Sequence, residues 1–174
     1  GGTWMGLSRN GRFAALTNYR DPSQRRSGAP SRGKLVRDAL ESRDDTVATL
    51  EHIAADSARY AGFNLLVGDG DTLGIHESTT GSVRLLEPGI YGLSNHLLDT
   101  PWPKLARARS HLAALLPRLP HEQGVLELLR DDTLVADPHL PDTGVSLEWE
   151  RLLSPAFIRA PGYGTRCSSL VLVG

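Results

Sequence analysis

The sequence predicts an α+β fold. Short runs with the period-2 apolar pattern of strands lie near residues 3–17 and 63–94, and segments with the 3.6-residue period of helices lie at 31–60 and 104–153. The two kinds occur in separate blocks, not in βαβ alternation. No apolar run approaches the roughly 20 residues of a membrane span.

Residues 3–7 and 12–17 read as strands joined at Arg9-Asn10-Gly11, since Asn-Gly tolerates the positive φ of a tight hairpin. Residues 18–30 are polar, with Arg25-Arg26, Gly28 and two prolines, and read as a loop. Ser31 is placed to cap a helix running to about Leu40, with Leu35, Val36, Ala39 and Leu40 on one face. Asp44 or Asp45 can cap a second helix to about Tyr60, with Val47, Leu50, Ile53, Ala54 and Ala58 as its apolar stripe. Residues 63–67, 72–77, 82–86 and 89–94 read as an antiparallel meander with a turn at Asp69-Gly70. Pro101-Trp102-Pro103 announces a helix over 104–116, with Leu105, Ala108, Leu112 and Leu115 inward. Further helices are expected at 121–130 and 146–153, a proline-rich loop at 137–144 and a last strand at 165–173.

The 174 residues carry 19 Lys and Arg against 20 Asp and Glu, a net charge of −1. That size predicts one domain over 1–174, able to bury roughly 70% of its unfolded surface. The balanced charge argues against nucleic acid as the main partner. With no signal peptide at the start, the expected setting is cytoplasmic. A lone Cys167 excludes an internal disulfide framework and a multi-cysteine zinc site. The six histidines show no H-E-x-x-H spacing, so no metal site is expected. P-loop and dinucleotide-binding patterns are absent. The chain opens in one strand pattern and closes in another, which suggests a domain incomplete at both ends.

Three polar segments stand at predicted strand ends. They are residues 15–22, residues 91–95 and Tyr163-Gly164-Thr165-Arg166-Cys167-Ser168. Asparagines and an arginine in such places can hold an oxyanion or a carboxylate. Asn18 and Asn95 can equally close turns through side-chain to backbone bonds. Cys167, in an apolar strand without an adjacent histidine, is expected to be inert.

Those segments fall within a larger set of blocks. The set includes Gly1-Gly2-Thr3-Trp4, Gly11-Arg12-Phe13-Ala14-Ala15-Leu16-Thr17-Asn18-Tyr19-Arg20 and Ser31-Arg32-Gly33. It continues with Tyr60-Ala61-Gly62-Phe63-Asn64-Leu65-Leu66-Val67-Gly68-Asp69 and Gly89-Ile90-Tyr91-Gly92-Leu93-Ser94-Asn95. Leu98-Asp99-Thr100-Pro101-Trp102-Pro103-Lys104 and Tyr163-Gly164-Thr165-Arg166 complete it. In this order, and over essentially the whole chain, the blocks resemble the NRDE family, that of the transport and Golgi organisation protein 2.

The resemblance implies a four-layer αββα sandwich like that of the N-terminal-nucleophile hydrolases. Family members begin Met-Cys and carry an Asn-Arg-Asp-Glu motif. This chain has neither, so no catalysis is expected from it. The resemblance further implies a role in haem mobilisation or in lipid and membrane-trafficking homeostasis, with haem as the cofactor or cargo. It leaves an amide hydrolase in the intact protein, or a small-ligand binding module, as alternatives. By the same resemblance Asn18 and Asn95 would line an oxyanion site, and Arg166 would orient the nucleophile or bind an acid group. Arg20, Asp21, Ser94 and His96 stand beside them as further, weaker candidates. The sequence itself carries no C-x-x-C-H haem signature and no obvious axial histidine; His96 comes nearest to one, and a surface histidine is its more ordinary reading. The small-molecule partner is then haem or an acyl-amide, and the oligomeric state is not set.

Overall fold

The computed structural model describes residues 2–24, 27–119 and 122–173. Expectations that touch Gly1, Arg25, Arg26 and His121 lie outside the described residues. The described residues divide into two compact units, one within 2–89 and 94–97, the other within 90–93 and 98–173. Its described elements are those of an α+β protein.

In the first unit five strands form one antiparallel sheet in sequence order: β1 (Met5–Leu7), β2 (Phe13–Asn18), β3 (Phe63–Gly68), β4 (Leu73–Glu77) and β5 (Ser82–Leu85). The Asn10-Gly11 turn forms as expected, with Gly11 at φ 84° and Ser8 N donating to Arg12 O at 2.8 Å. Register fixes the two faces. Ala14 pairs with Val67, Leu16 with Leu65 and Asn18 with Phe63. The apolar members of that row form the core with Leu35, Val36 and Ala39 of α1 (Gly33–Glu41) and Leu50 and Ile53 of α2 (Thr46–Ala55). The opposite face carries Thr17, Asn64, Ile75 and Glu77.

Asp45 caps α2, its carboxylate accepting from Ala48 N at 2.8 Å. The helix ends at Ala55, earlier than the expected Tyr60; a 3-10 turn at Ser57–Arg59 follows and Ala58 is exposed. Ser31 does not cap α1. Arg32 holds that position in helical conformation, without a side-chain cap. The helix start is fixed instead by close backbone approach, with Thr3 N donating to Gly33 O at 3.2 Å. A Cβ on Gly2 would stand 2.5 Å from the Gly33 carbonyl carbon, and one on Gly33 would stand 3.0 Å from Gly2 Cα. The Gly-Gly-Thr and Ser-Arg-Gly blocks therefore touch, and glycine is what lets them.

The second unit contains α3 (Pro103–Leu115), α4 (Glu122–Leu128), α5 (Leu147–Leu152) and a ribbon of β6 (Arg159–Ala160) and β7 (Tyr163–Gly164). Proline opens α3, where its missing N–H costs nothing. Leu105, Ala108, Leu112 and Leu115 of α3 are half-buried, while Lys104 is buried, its Nζ donating to Leu153 O at 2.9 Å beside the Trp102 ring. The expected helix at 146–153 forms as α5, with Ser146 as its cap.

Two expected strands do not form. Residues 89–94 make no ladder, because Gly92 is tied into a local loop. Asp99 N donates to Gly92 O and Gly92 N donates to Asp99 Oδ1, both at 2.8 Å. Residues 165–173 are mostly exposed and carry no strand. The Ile158–Thr165 pair closes the ribbon with bonds of 2.9 Å in each direction, and β6 is too short to pair further.

Candidate functional site

The residues singled out by chemistry meet where β2 ends. Strand pleating puts Thr17 on the same face as its register partner Asn64 and that residue's partner Glu77. Asn18 points the other way, onto the face of Phe63. Beyond Asn18 the chain leaves the sheet, with Tyr19 N donating to Gly62 O at 2.9 Å. The Arg32 guanidinium reaches the same carbonyl at 2.7 Å.

The short segment 94–97 is built onto this strand end. Arg20 N donates to Asn95 O at 2.6 Å, and Asn95 Nδ2 donates to Asn18 O at 3.0 Å. The Arg20 guanidinium adds a longer bond of 3.4 Å to Asn95 Oδ1. Asn64 Nδ2 donates to His96 O at 2.8 Å and to Thr17 Oγ1 at 3.1 Å. Tyr19 Oη and His96 Nε2 share a hydrogen bond at 2.7 Å, their ring centres 4.8 Å apart.

Burial pushes the His96 imidazole below the ordinary histidine value, while Glu77 pulls weakly the other way. Burial also raises the Tyr19 phenol, with the Asp21 charge adding to it. At neutral pH the pair is therefore a neutral imidazole and a protonated phenol. Glu77 is almost fully buried and pairs with Arg84 at 3.3 Å. Two buried carboxamide oxygens, Oδ1 of Asn18 and Oδ1 of Asn64, have no hydrogen-bond partner among the described residues. Such orphans mark places where a further donor is accommodated. The orientation of Asn64 is fixed, because a carbonyl such as His96 O can take only an N–H.

Asn18, Arg20, Asn95 and His96 are thus brought together, and Ser94 opens the segment that holds two of them. Asn95 does not stand at a strand end, since 89–94 is not a strand. Its amide braces the Asn18 backbone and its carbonyl faces Arg20. Asp21 closes the turn Pro22–Gln24, accepting from Ser23 Oγ at 2.6 Å, Ser23 N at 2.9 Å and Gln24 Nε2 at 2.9 Å. Those bonds, led by the Ser23 hydroxyl, hold its carboxyl below the usual range. Arg166 lies in the second unit, exposed and outside regular structure. Cys167 is exposed too, contrary to its expected place in an apolar strand.

Sequence reasoning missed Thr17, Asn64 and Glu77 and gave Tyr19 no role. The available signal was the lone polar residue in Phe63-Asn64-Leu65-Leu66-Val67, at a position where the strand is fully buried. Among the described residues no group of three His, Cys, Asp or Glu side chains could hold a metal ion. No helix among them is long and apolar enough to cross a membrane.

The family model described as Transport and Golgi organisation 2 matches residues 1–174. A Bos taurus protein named Transport and Golgi organization protein 2 homolog is 37% identical over 191 residues, covering 99% of this chain and 68% of its own. The Homo sapiens protein of the same name is 35% identical, with the same coverage of both chains. A Mus musculus relative, Transport and Golgi organization 2 homolog, is 33% identical, again covering 99% and 68%.

Proposed function

The chain belongs to the transport and Golgi organisation 2 family, and from that premise we propose that it is a carrier whose small-molecule cargo, haem, is held at the end of β2. The observation that supports this reading is the Tyr19–His96 pair. Phenolate and imidazole are both side-chain groups that ligate haem iron. Here the two side chains are half-buried and hydrogen-bonded to each other at 2.7 Å, so holding the iron would replace that bond, and ligation by Tyr19 would release the phenol proton to solvent. Tyr19 and His96 would hold the iron side of the cargo, and Arg20 would supply a cation for an acidic substituent. Haem mobilisation in the cytoplasm, or lipid and membrane-trafficking homeostasis, is the role this carrier would serve.

An amide hydrolase with Asn18 and Asn95 as oxyanion donors fits the arrangement less well. One Asn95 N–H is spent on the Asn18 carbonyl, and the Asn18 side chain shares the face of Phe63. The discriminating experiment is a haem titration of the protein, oxidised and reduced. The carrier reading expects a saturable Soret shift that weakens in Tyr19→Phe and is lost in Tyr19→Phe/His96→Ala. A Soret band that never departs from free haem overturns it, and turnover of an acyl-amide would favour the hydrolase instead.

A further inference from the structure

We propose that Asn64 is the positioning residue of this site: from β3 it sets the 94–97 segment and so aims the His96 ring at Tyr19. Asn64 is fully buried within the strand Phe63–Gly68, whose other side chains are apolar. A buried carboxamide costs free energy that an apolar residue would not, so its retention asks for a reason. Its two N–H groups go to two separate segments, Thr17 of β2 and the carbonyl of residue 96.

The next carbonyl back, that of Asn95, accepts from Arg20 N at 2.6 Å. Two successive carbonyls are thereby pinned, one from β3 and one from the segment that follows β2, which fixes the two peptide planes flanking residue 96. With both planes fixed, the direction of the His96 Cα–Cβ bond is fixed too. A carboxamide is the side chain that suits this task, because it donates twice from one nitrogen with planar geometry. The remaining oxygen, buried and unpartnered, is what the geometry gives up for those two bonds.

The inference rests on reading this strand end as the cargo site, but its test needs no cargo, so the two can fail separately. The first measurement is on the unaltered protein by NMR. A through-hydrogen-bond coupling from Asn64 Nδ2 to the His96 carbonyl carbon is expected, with slow exchange of that side-chain amide. The second measurement is the nuclear Overhauser contact between the Tyr19 and His96 rings, 4.8 Å apart in the unaltered protein, in Asn64→Ala and in Asn64→Asp, which keeps the shape and loses the donors.

In both variants the Tyr19–His96 ring contact is expected to be lost or strongly weakened as the 94–97 segment loses its anchor. A merely structural role would lower the unfolding midpoint and leave that ring contact in place, and that result overturns the inference. If neither variant folds, the coupling in the unaltered protein decides, and its absence overturns the inference equally.

Discussion

Arg12 offers the sharpest test of how the first unit is held together. The residue stands immediately before β2 and is buried, with 7% of its surface exposed. Its guanidinium donates to Thr49 Oγ1 at 2.9 Å and to the backbone carbonyl of Asp44. Both acceptors are uncharged and both belong to the entry of α2, so Arg12 ties β2 to the helix mainly through neutral partners, with the Asp69 carboxylate adding a weaker charge interaction. Hydrogen bonds from a charged donor contribute about 1.5–3 kcal/mol each. Thr49 keeps the Ser42 hydroxyl as a partner at 2.9 Å, so removing Arg12 does not orphan it. Relief of guanidinium desolvation offsets a further part.

The net loss for Arg12→Ala is therefore about 2–4 kcal/mol. With a urea m-value of about 2 kcal/mol/M, the unfolding midpoint should fall by about 1–2 M. Far-UV circular dichroism in urea measures it. Arg12→Lys should recover little, because an ammonium lacks the fork that reaches both acceptors. Added salt should reduce the Arg12 contribution only slightly, since its hydrogen-bond acceptors are neutral and its charge interaction with Asp69 is weak. A midpoint shift below about 0.3 M for Arg12→Ala, or strong salt dependence of its effect, would refute this account.

Three further outcomes are expected. His76 is buried in the sheet with Nδ1 on Ser82 O at 3.0 Å, and burial holds its imidazole below the ordinary value. The unfolded chain then binds a proton that the folded chain resists, so this stability is complete above about pH 6.5 and is lost as pH falls below it. His76→Phe should flatten that part of the stability profile, and an unchanged profile counts against the assignment. Asp99 sits at φ 59° while its carboxylate accepts from Gly92 N and pairs with Arg109 at 3.2 Å. Asp99→Asn should stay nearest the parent, and Asp99→Ala should lose about 2–3 kcal/mol by combining backbone strain with lost acceptors, as thermal unfolding would show. Lys104→Met should cost less than Lys104→Ala in denaturant, because only the former keeps the buried stem packed while both lose the Leu153 bond.

Local pattern carried the first unit well and the second poorly, for a physical reason. The hairpin at Asn10-Gly11, the meander from Phe63 to Leu85 and the Asp45 cap depend on neighbours in sequence, and all three form. The runs at 89–94 and 165–173 have strand-like composition, but a strand exists only if another strand offers an edge. No local pattern reports that. Gly92 is committed to Asp99, seven residues on, and Thr165 to Ile158. The site divides in the same way. Asn18 and Asn95 drew notice as asparagines in polar segments, and they do meet, though through backbone carbonyls. Asn64 lies inside a run that reads simply as a buried strand. Its role depends on a partner 32 residues away, which periodicity cannot show.

The backbone contact between Gly2 and Gly33 also says something about how this sequence can change. Most tight contacts between side chains have a trade, in which one residue shrinks as the other grows. Here both partners are already at the smallest size available, and each would press on main chain instead of on a movable side chain. No second substitution at either position can therefore make room for the first. In a saturation library the two positions should tolerate glycine alone, and pairing their variants should rescue nothing. The two blocks would behave as a single fixed point in sequence space, although 31 positions separate them.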